Sequence, residues 1–190
     1  MDSARRAGDI TVEADSSESG YYVVAFAGRD DNHYRTASVR HILIKAAADE
    51  NGAYTEEAKA AAMARAEEIL AEFEAGDRSE ESFAALAEQY SEDAGSNTNG
   101  GLYEDVAKGQ MVKEFNDFCF GGHKPGDTGI VYGESAAYAG YHVMYYVGEG
   151  ELYSDTIALN DLRSAAEEAW MTELLSGYET KDGFGLRFVK

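Results

Sequence analysis

Val39-Arg40-His41-Ile42-Leu43-Ile44-Lys45 is the stretch on which the fold turns. Its apolar residues occupy both parities, so it reads as a strand covered on both faces. A long helix is expected next. Thr55 suits its N-cap, and Glu56 and Glu57 lie well against the helix dipole. Met63, Ala66, Leu70 and Phe73 recur at spacings of three and four and form the expected buried stripe; Gly76 ends the helix. Ser79 caps a second helix whose buried face is Phe83, Leu86, Ala87 and Tyr90. Ser91 to Gly101 reads as a Ser/Asn/Gly loop, Leu102 to Val106 as a short strand, and Lys113 to Phe120 as a short helix carrying Phe115, Phe118 and Phe120. Gly121 to Gly129 reads as a loop around Pro125, the chain's only proline, and Gly140 to Val147 (GYHVMYYV) as a strongly β-prone strand.

Outside this block, residues 1–20 are polar, with a loop at Asp15 to Gly20, and Tyr21 to Ala27 (YYVVAFA) reads as a strand. Asp155 to Ser176 has helical period. Leu159, Leu162, Ala166, Ala169 and Leu174 form a stripe with Trp170 beside it, and a last strand is expected at Leu186 to Val189. This helix is expected either to pack on residues 21–27 and 186–189 or to pair with a second copy of the chain as a homodimer. One internal echo links the two ends. Gly20-Tyr21-x-Val23 closing at Gly28 and Gly140-Tyr141-x-Val143 closing at Gly148 share one frame, preceded by Gly8-Asp9 and Gly126-Asp127 respectively. Two similar strands arising by chance would produce this. So would a truncated, degenerate first copy of the module.

The 190 residues are 44% apolar and 12% aromatic, enough to bury a core and to exclude generic disorder. Sixteen basic residues against 36 acidic ones give a formal charge of −20, which repels phosphate backbones and argues against nucleic-acid binding. Cys119 is the single cysteine, so no internal disulfide or cysteine zinc cluster can form. The longest apolar run, Tyr21 to Ala27, is too short to span a bilayer. Met1-Asp2-Ser3-Ala4-Arg5-Arg6 has no apolar core after its charges, so a cytoplasmic protein or a piece of a longer precursor is expected.

Read in order, the motifs are VRHILI at 39–44, YSEDAGSNTNGGL at 90–102, GQMVKEF at 109–115, Pro125-Gly126-Asp127 and Gly140-Tyr141-His142-Val143. This series resembles the parvulin-type peptidyl-prolyl isomerases over residues 37–148. The whole chain is most similar to the extracytoplasmic parvulin foldases of Gram-positive bacteria. The resemblance implies an α+β fold of the parvulin (FKBP-like) kind: a small antiparallel sheet wrapped by helices, with helical and strand extensions. It divides the chain into an N-terminal segment (1–36), an isomerase domain (37–150) and a chaperone-like extension (151–190). It also implies an extracytoplasmic location, unfolded or proline-containing polypeptide clients, and no cofactor.

By resemblance, Leu102, Met111 and Phe115 form the proline pocket, with Phe120 and Tyr138 also facing substrate. Met is adaptable and Phe supplies a flat wall. Asp93 falls where the family places an acidic or cysteine side chain facing the reacting bond. Burial would raise its pKa, while the alternative is a loop carboxylate making an Asx turn before Gly95. His41 and His142 match the family's paired histidines and are expected to orient the site by a hydrogen bond rather than to act as acid and base or bind metal. Cys119 is expected to be a buried structural residue.

Three departures from the family pattern stand out. Gly100-Gly101-Leu102-Tyr103 lacks the aspartate and glycine that often follow the paired glycines. Ala136-Ala137-Tyr138-Ala139 offers only Tyr138 where a serine or threonine hydroxyl is common. Lys45 is followed by Ala46-Ala47-Ala48-Asp49-Glu50, without the basic cluster of phosphate-specific members. Two functional expectations follow: a prolyl isomerase, or a holdase whose parvulin domain binds peptide with little turnover.

Overall fold

The computed structural model describes residues 5–14, 20–29, 31–135 and 137–178. The chain divides into two compact units, Met1–His33 and Tyr34–Lys190. In the first, β1 (Ile10–Ala14) pairs antiparallel with β2 (Tyr21–Ala25). β1 was not expected from the polar opening; its Ile10, Val12 and Ala14 alternate with polar residues, a short signal easily lost.

The second unit is built on β3 (Arg35–Lys45), the strand read at Val39–Lys45 with one further turn of the pleat at its start. Two helices follow, α1 (Glu56–Ala75) and α2 (Glu80–Tyr90), each opened by the expected cap: Thr55 Oγ1 accepts from Ala58 N at 3.2 Å and Ser79 Oγ from Ser82 N at 3.1 Å. Then come β4 (Leu102–Val106), α3 (Lys113–Cys119), β5 (Thr128–Glu134), β6 (Ala139–Leu152) and α4 (Tyr153–Ser176). The sheet order is β4-β3-β6-β5, with every neighbouring pair antiparallel. β5 was not expected; only its first two residues fall in the loop read at Gly121–Gly129. Gly129 and Gly133 mask its β character; a Cβ on Gly133 would collide with the buried His142 ring, and one on Gly129 would press tightly on Phe118.

Both faces of the two central strands are covered, which is why their sequences show no alternation. Ile42, Ile44, Val143 and Tyr145 face α1 and α2 and pack with Ala62, Ala66, Ile69, Phe73, Phe83 and Ala87. The buried stripe of α1 is therefore Ala62, Ala66, Ile69 and Phe73, and the expected Met63 and Leu70 lie half-buried beside it. On the opposite face Val39, Met144 and Tyr146 pack with Phe115, Phe118 and Cys119 of α3. As expected for a structural thiol, Cys119 is buried there, and burial pushes its pKa up to about 12.

Within this unit the C-terminal helix is anchored only at its start. Tyr153 N donates to Tyr34 O at 2.9 Å and the two rings lie 5.3 Å apart. Beyond that first turn no residue of α4 is buried, and Leu159, Leu162, Trp170 and Leu174 are exposed. The apolar stripe expected on this helix covers no core within this unit. The strand expected at Leu186–Val189 lies outside the described residues, as does most of the loop at 15–20.

Phe83 is fully buried, edge-on to Phe73 with ring centroids 5.3 Å apart. Urea melts of Phe83→Ala are expected to show a loss of about 3–5 kcal/mol. Leu162→Ala, on the bare face of α4, is expected to change stability by less than about 0.5 kcal/mol.

Candidate active site

The antiparallel register sets His41 opposite Met144 and Leu43 opposite His142. His41 and His142 are thus diagonal neighbours on one face of the sheet, within reach of ring contact. Their rings stack at 5.1 Å, with His41 Nδ1 and His142 Nδ1 2.9 Å apart. Both are almost fully buried, and Phe115 of α3 stands edge-on to each at 5.4 Å.

Asp93 reaches this pair because the segment after α2 is stapled to β3. Glu92 N donates to Leu43 O at 2.9 Å, Leu43 N donates to Ser91 Oγ at 3.1 Å, and Lys45 N donates to Glu92 Oε2 at 2.5 Å. Further along, Gly101 O accepts from His41 N at 2.9 Å. The approach there is so close that a Cβ on Gly101 would stand 2.2 Å from His41 O, and its φ of +71 adds a second reason for glycine. The Gly100-Gly101 pair therefore keeps its packing role although the residues after it depart from the family pattern.

The Asp93 carboxylate is held by four donors. His41 Nε2 lies 3.0 Å from Oδ2, Ser96 Oγ donates to Oδ2 at 2.6 Å, and Tyr103 Oη donates to it at 3.1 Å. Gly95 N donates to Oδ1 at 3.1 Å, so the Asx turn and the site role coexist. Ser96 and Asn97 also donate their backbone N–H groups to Asp93 O, which fixes the loop that carries it. The side-chain arrangement admits one neutral chain of donors. With His41 Nε2–H directed at the carboxylate, His41 Nδ1 is an acceptor, so His142 Nδ1–H donates to it. His142 Nε2 then accepts from Tyr138 Oη, 3.0 Å away. Tyr138 thus supplies the hydroxyl that the sequence otherwise lacks.

These contacts set the ionisation states. The hydrogen bond from His41, joined by those from Ser96 and Gly95, outweighs desolvation and holds the Asp93 carboxyl well below the usual carboxylate range. The expectation that burial would raise it is corrected: its donors dominate. Burial, with His41 adjacent, lowers His142 to about 3. Burial, then the Asp93 charge, raises both Tyr103 and Tyr138, keeping them protonated donors.

One cavity of about 240 Å³ opens on this network. Met111, Val112 and Phe115 form its apolar wall, and Asp93, His41, His142, Tyr103 and Tyr138 its polar side; Leu43 and Gln110 complete it. Leu102 is not among the lining residues. It pairs with Arg40 in the β4–β3 register, and the next residue, Tyr103, takes the place expected of it. Phe120 is also elsewhere. It closes α3 on the far side, edge-on to Tyr34 at 5.8 Å with Lys108 over both rings, beside a separate hollow. Tyr103 was missed because it follows the quoted motif at 90–102, and Ser96, inside that motif, was read only as part of a polar loop. Their only trace in the sequence is hydroxyls three and ten residues after Asp93. Among the described residues no group of three or more His, Cys, Asp or Glu side chains could hold a metal ion.

The sequence matches the family model of the PPIC-type PPIase domain over residues 21–145. The chain belongs to that family. Foldase protein PrsA 3 of Bacillus anthracis is 34% identical over 122 residues, which are 64% of this chain and 35% of that protein. Foldase protein PrsA 3 of Bacillus cereus is 42% identical over 72 residues, 38% of this chain and 24% of that protein. The chain therefore spans about a third or less of the length of these curated relatives. A solved peptidylprolyl isomerase (PrsA) from Bacillus anthracis aligns at 26% identity and TM-score 0.44, covering 73% of this chain and 53% of that one. The PPIase domain is the part of the chain that carries the cavity.

Stability should report the buried imidazole. The folded PPIase domain holds His142 neutral down to about pH 3, whereas the unfolded chain protonates it near the ordinary imidazole value of about 6.5. The unfolded state therefore binds more protons as pH falls through this window, and folding stability drops. The depressed Asp93 carboxylate adds a further loss below about pH 4. Urea melts from pH 7 downward are expected to lose up to about 1.4 kcal/mol per pH unit below pH 6.5. His142→Leu is expected to flatten the segment between about pH 6.5 and 4.

Proposed function

We propose that this PPIase domain catalyses cis–trans isomerisation of X–Pro bonds in unfolded polypeptides, acting as a foldase. One observation carries the reading: an ionised, four-donor carboxylate and the apolar wall of Met111 and Phe115 share a single cavity. Resonance holds the planar imide behind a barrier of about 18–20 kcal/mol. The planar form is the more dipolar one, since twisting returns electron density from the carbonyl to nitrogen. A dry cavity that seats the ring against Met111 and Phe115 therefore disfavours the planar state more than the twisted one. The fixed dipoles of Tyr103 and Tyr138 and the charge of Asp93 then act on the twisted imide without reorganising, since each is already hydrogen-bonded in place. Each factor of ten requires about 1.36 kcal/mol, a scale that such polar contacts and desolvation can supply. No bond is broken and no cofactor enters the scheme. His41 and His142 hold Asp93 and Tyr138 in position.

Asp93→Ala is expected to lower kcat/KM on a proline peptide by about 10²–10³. Met111→Ala, at a partly exposed position, is expected to raise KM several-fold with kcat little changed. Equal and negligible rates for the wild type and Asp93→Ala, with suppression of aggregation retained, would eliminate the catalytic reading and leave peptide binding.

A holdase role alongside catalysis is supported by a separate observation, the uncovered apolar residues of α4. Leu162, Trp170, Met171 and Leu175 are 69%, 58%, 43% and 56% exposed. Such a face suits extended apolar segments of client chains, and pairing of two copies into a homodimer would use the same residues. Ending the chain after Leu152 is expected to leave isomerisation unchanged and to weaken suppression of client aggregation. An extracytoplasmic site of action accords with the similarity to the PrsA foldases. Among the described residues no helix is long and apolar enough to cross a membrane.

A further inference from the structure

The β1–β2 hairpin repeats the entry turn, bulge and first five register pairs of the β5–β6 hairpin, with a connection two residues shorter. Ahead of β1, Asp9 N donates to Arg6 O at 3.0 Å, Arg6 N donates to Asp9 Oδ2 at 2.7 Å, and Gly8 has a φ of +93. Ahead of β5, Asp127 N donates to Lys124 O at 2.9 Å, Lys124 N donates to Asp127 Oδ2 at 2.8 Å, and Gly126 has a φ of +94. Both are tight turns with glycine at the third position, where only a left-handed backbone fits. Each leads into the same glycine-led bulge. Gly8 N donates to Phe26 O and Phe26 N to Asp9 O, both at 2.8 Å; Gly126 N donates to Tyr146 O at 2.9 Å and Tyr146 N to Asp127 O at 2.8 Å.

The registers coincide from there. Ile10 faces Ala25 as Thr128 faces Tyr145, and Val12 faces Val23 as Ile130 faces Val143. Gly20, Tyr21, Val23 and Gly28 fall on Gly140, Tyr141, Val143 and Gly148. A shared turn, side-chain lock, bulge and register exceed what two unrelated hairpins have in common.

The two hairpins differ in what covers them. The outer edge of β6 is filled by β3, with Tyr141, Val143 and Tyr145 opposite Ile44, Ile42 and Arg40. The matching residues of β2 are Tyr21, Val23 and Ala25, whose N–H groups point away from β1 because pairing alternates along an antiparallel ladder. Val143 is fully buried, whereas Val23 is 72% exposed; Met144 is fully buried, whereas Val24 is 42% exposed. A lone two-stranded hairpin is marginal in water, and an apolar open edge is a template for another strand.

We propose that residues 8–28 are the closing hairpin of a second, upstream copy of the PPIase domain. The outer edge of β2 then receives that copy's counterpart of β3, an antiparallel apolar strand of the Val39–Lys45 type. Tyr22 stands where His142 stands, so the completed first copy lacks the second histidine of the pair and cannot form its stacked link.

The test uses hydrogen exchange on the 190-residue chain with the synthetic β3 peptide RTASVRHILIK as probe. The peptide is expected to slow exchange at Tyr21, Val23 and Ala25 saturably, by about tenfold or more, while the amides of β6 stay unchanged. Val23→Pro, which removes an outward N–H, abolishes the effect. Val23→Lys, which keeps that N–H but charges the face to be covered, weakens it. The chain extended through its upstream coding sequence is expected to protect the same three amides without peptide. No slowing at these amides, or equal slowing by a scrambled peptide, overturns the proposal. So does protection without peptide that grows with concentration of the 190-residue chain, because it assigns the edge to a second molecule of this chain. An extended chain that leaves the three amides open overturns it as well.

Discussion

A buried file of polar side chains crosses the apolar face of the sheet, from Tyr138 through His142 and His41 to the Asp93 carboxylate. Unpaired polar groups at this depth would cost several kcal/mol each. The file survives because each ring nitrogen has a partner, and because Ser96, Tyr103 and Gly95 meet the remaining needs of the carboxylate. Among the described residues no buried side-chain nitrogen or oxygen lacks a hydrogen-bond partner. The rest of the domain answers to this constraint: the β3–β6 register that brings the rings together, the staple at 91–93 that delivers the carboxylate, and the glycine at 101 that lets two backbones meet.

The file also separates the two uses of the sheet. One face is a packed core under α1 and α2, where Phe73, Phe83 and Tyr145 interlock and ordinary core rules apply. The other face carries α3, which presents Phe115 both to the histidines and to the cavity. A rigid floor of this kind suits a reaction that requires shape and fixed dipoles rather than a mobile acid or base. The depressed Asp93 carboxyl and the neutral His142 keep those dipoles constant over the range in which most proteins work.

Beyond the sheet the chain offers apolar surface that its own core does not use. Most of α4 is bare, and β1 and β2 expose both of their faces. In the hairpin the exposure has a specific form, an unfilled strand edge whose counterpart inside the same chain is filled. On α4 it is a helical face without such a template. The first implies a strand of defined register, the second a less selective partner such as an extended client.

The helices with their caps and the two central strands were legible from residue order, whereas the approach of His41 to His142 and the gathering of Met111, Phe115 and Asp93 were implied only by the resemblance to the parvulin family. Periodicity, capping residues and spaced motifs are local properties, and they survive in the one-dimensional record. The stripe of α1 was off by one position at two places because an alanine-rich helix offers several nearly equivalent faces. Side-chain direction across the sheet lay beyond local pattern. Leu102 and Tyr103 are adjacent in sequence, yet only Tyr103 lines the cavity, a choice set by the pairing of β4 with a bulged β3. The sense of the Asp93 shift likewise depended on donors from β3, β4 and its own loop, which only the fold assembles. Sequence by itself determined the helices, the two central strands and the loop that carries Asp93, but not β1, β5 or the full set of cavity residues. Tertiary structure alone decided which face each side chain joins and which charge state it keeps, because both depend on neighbours distant in the chain.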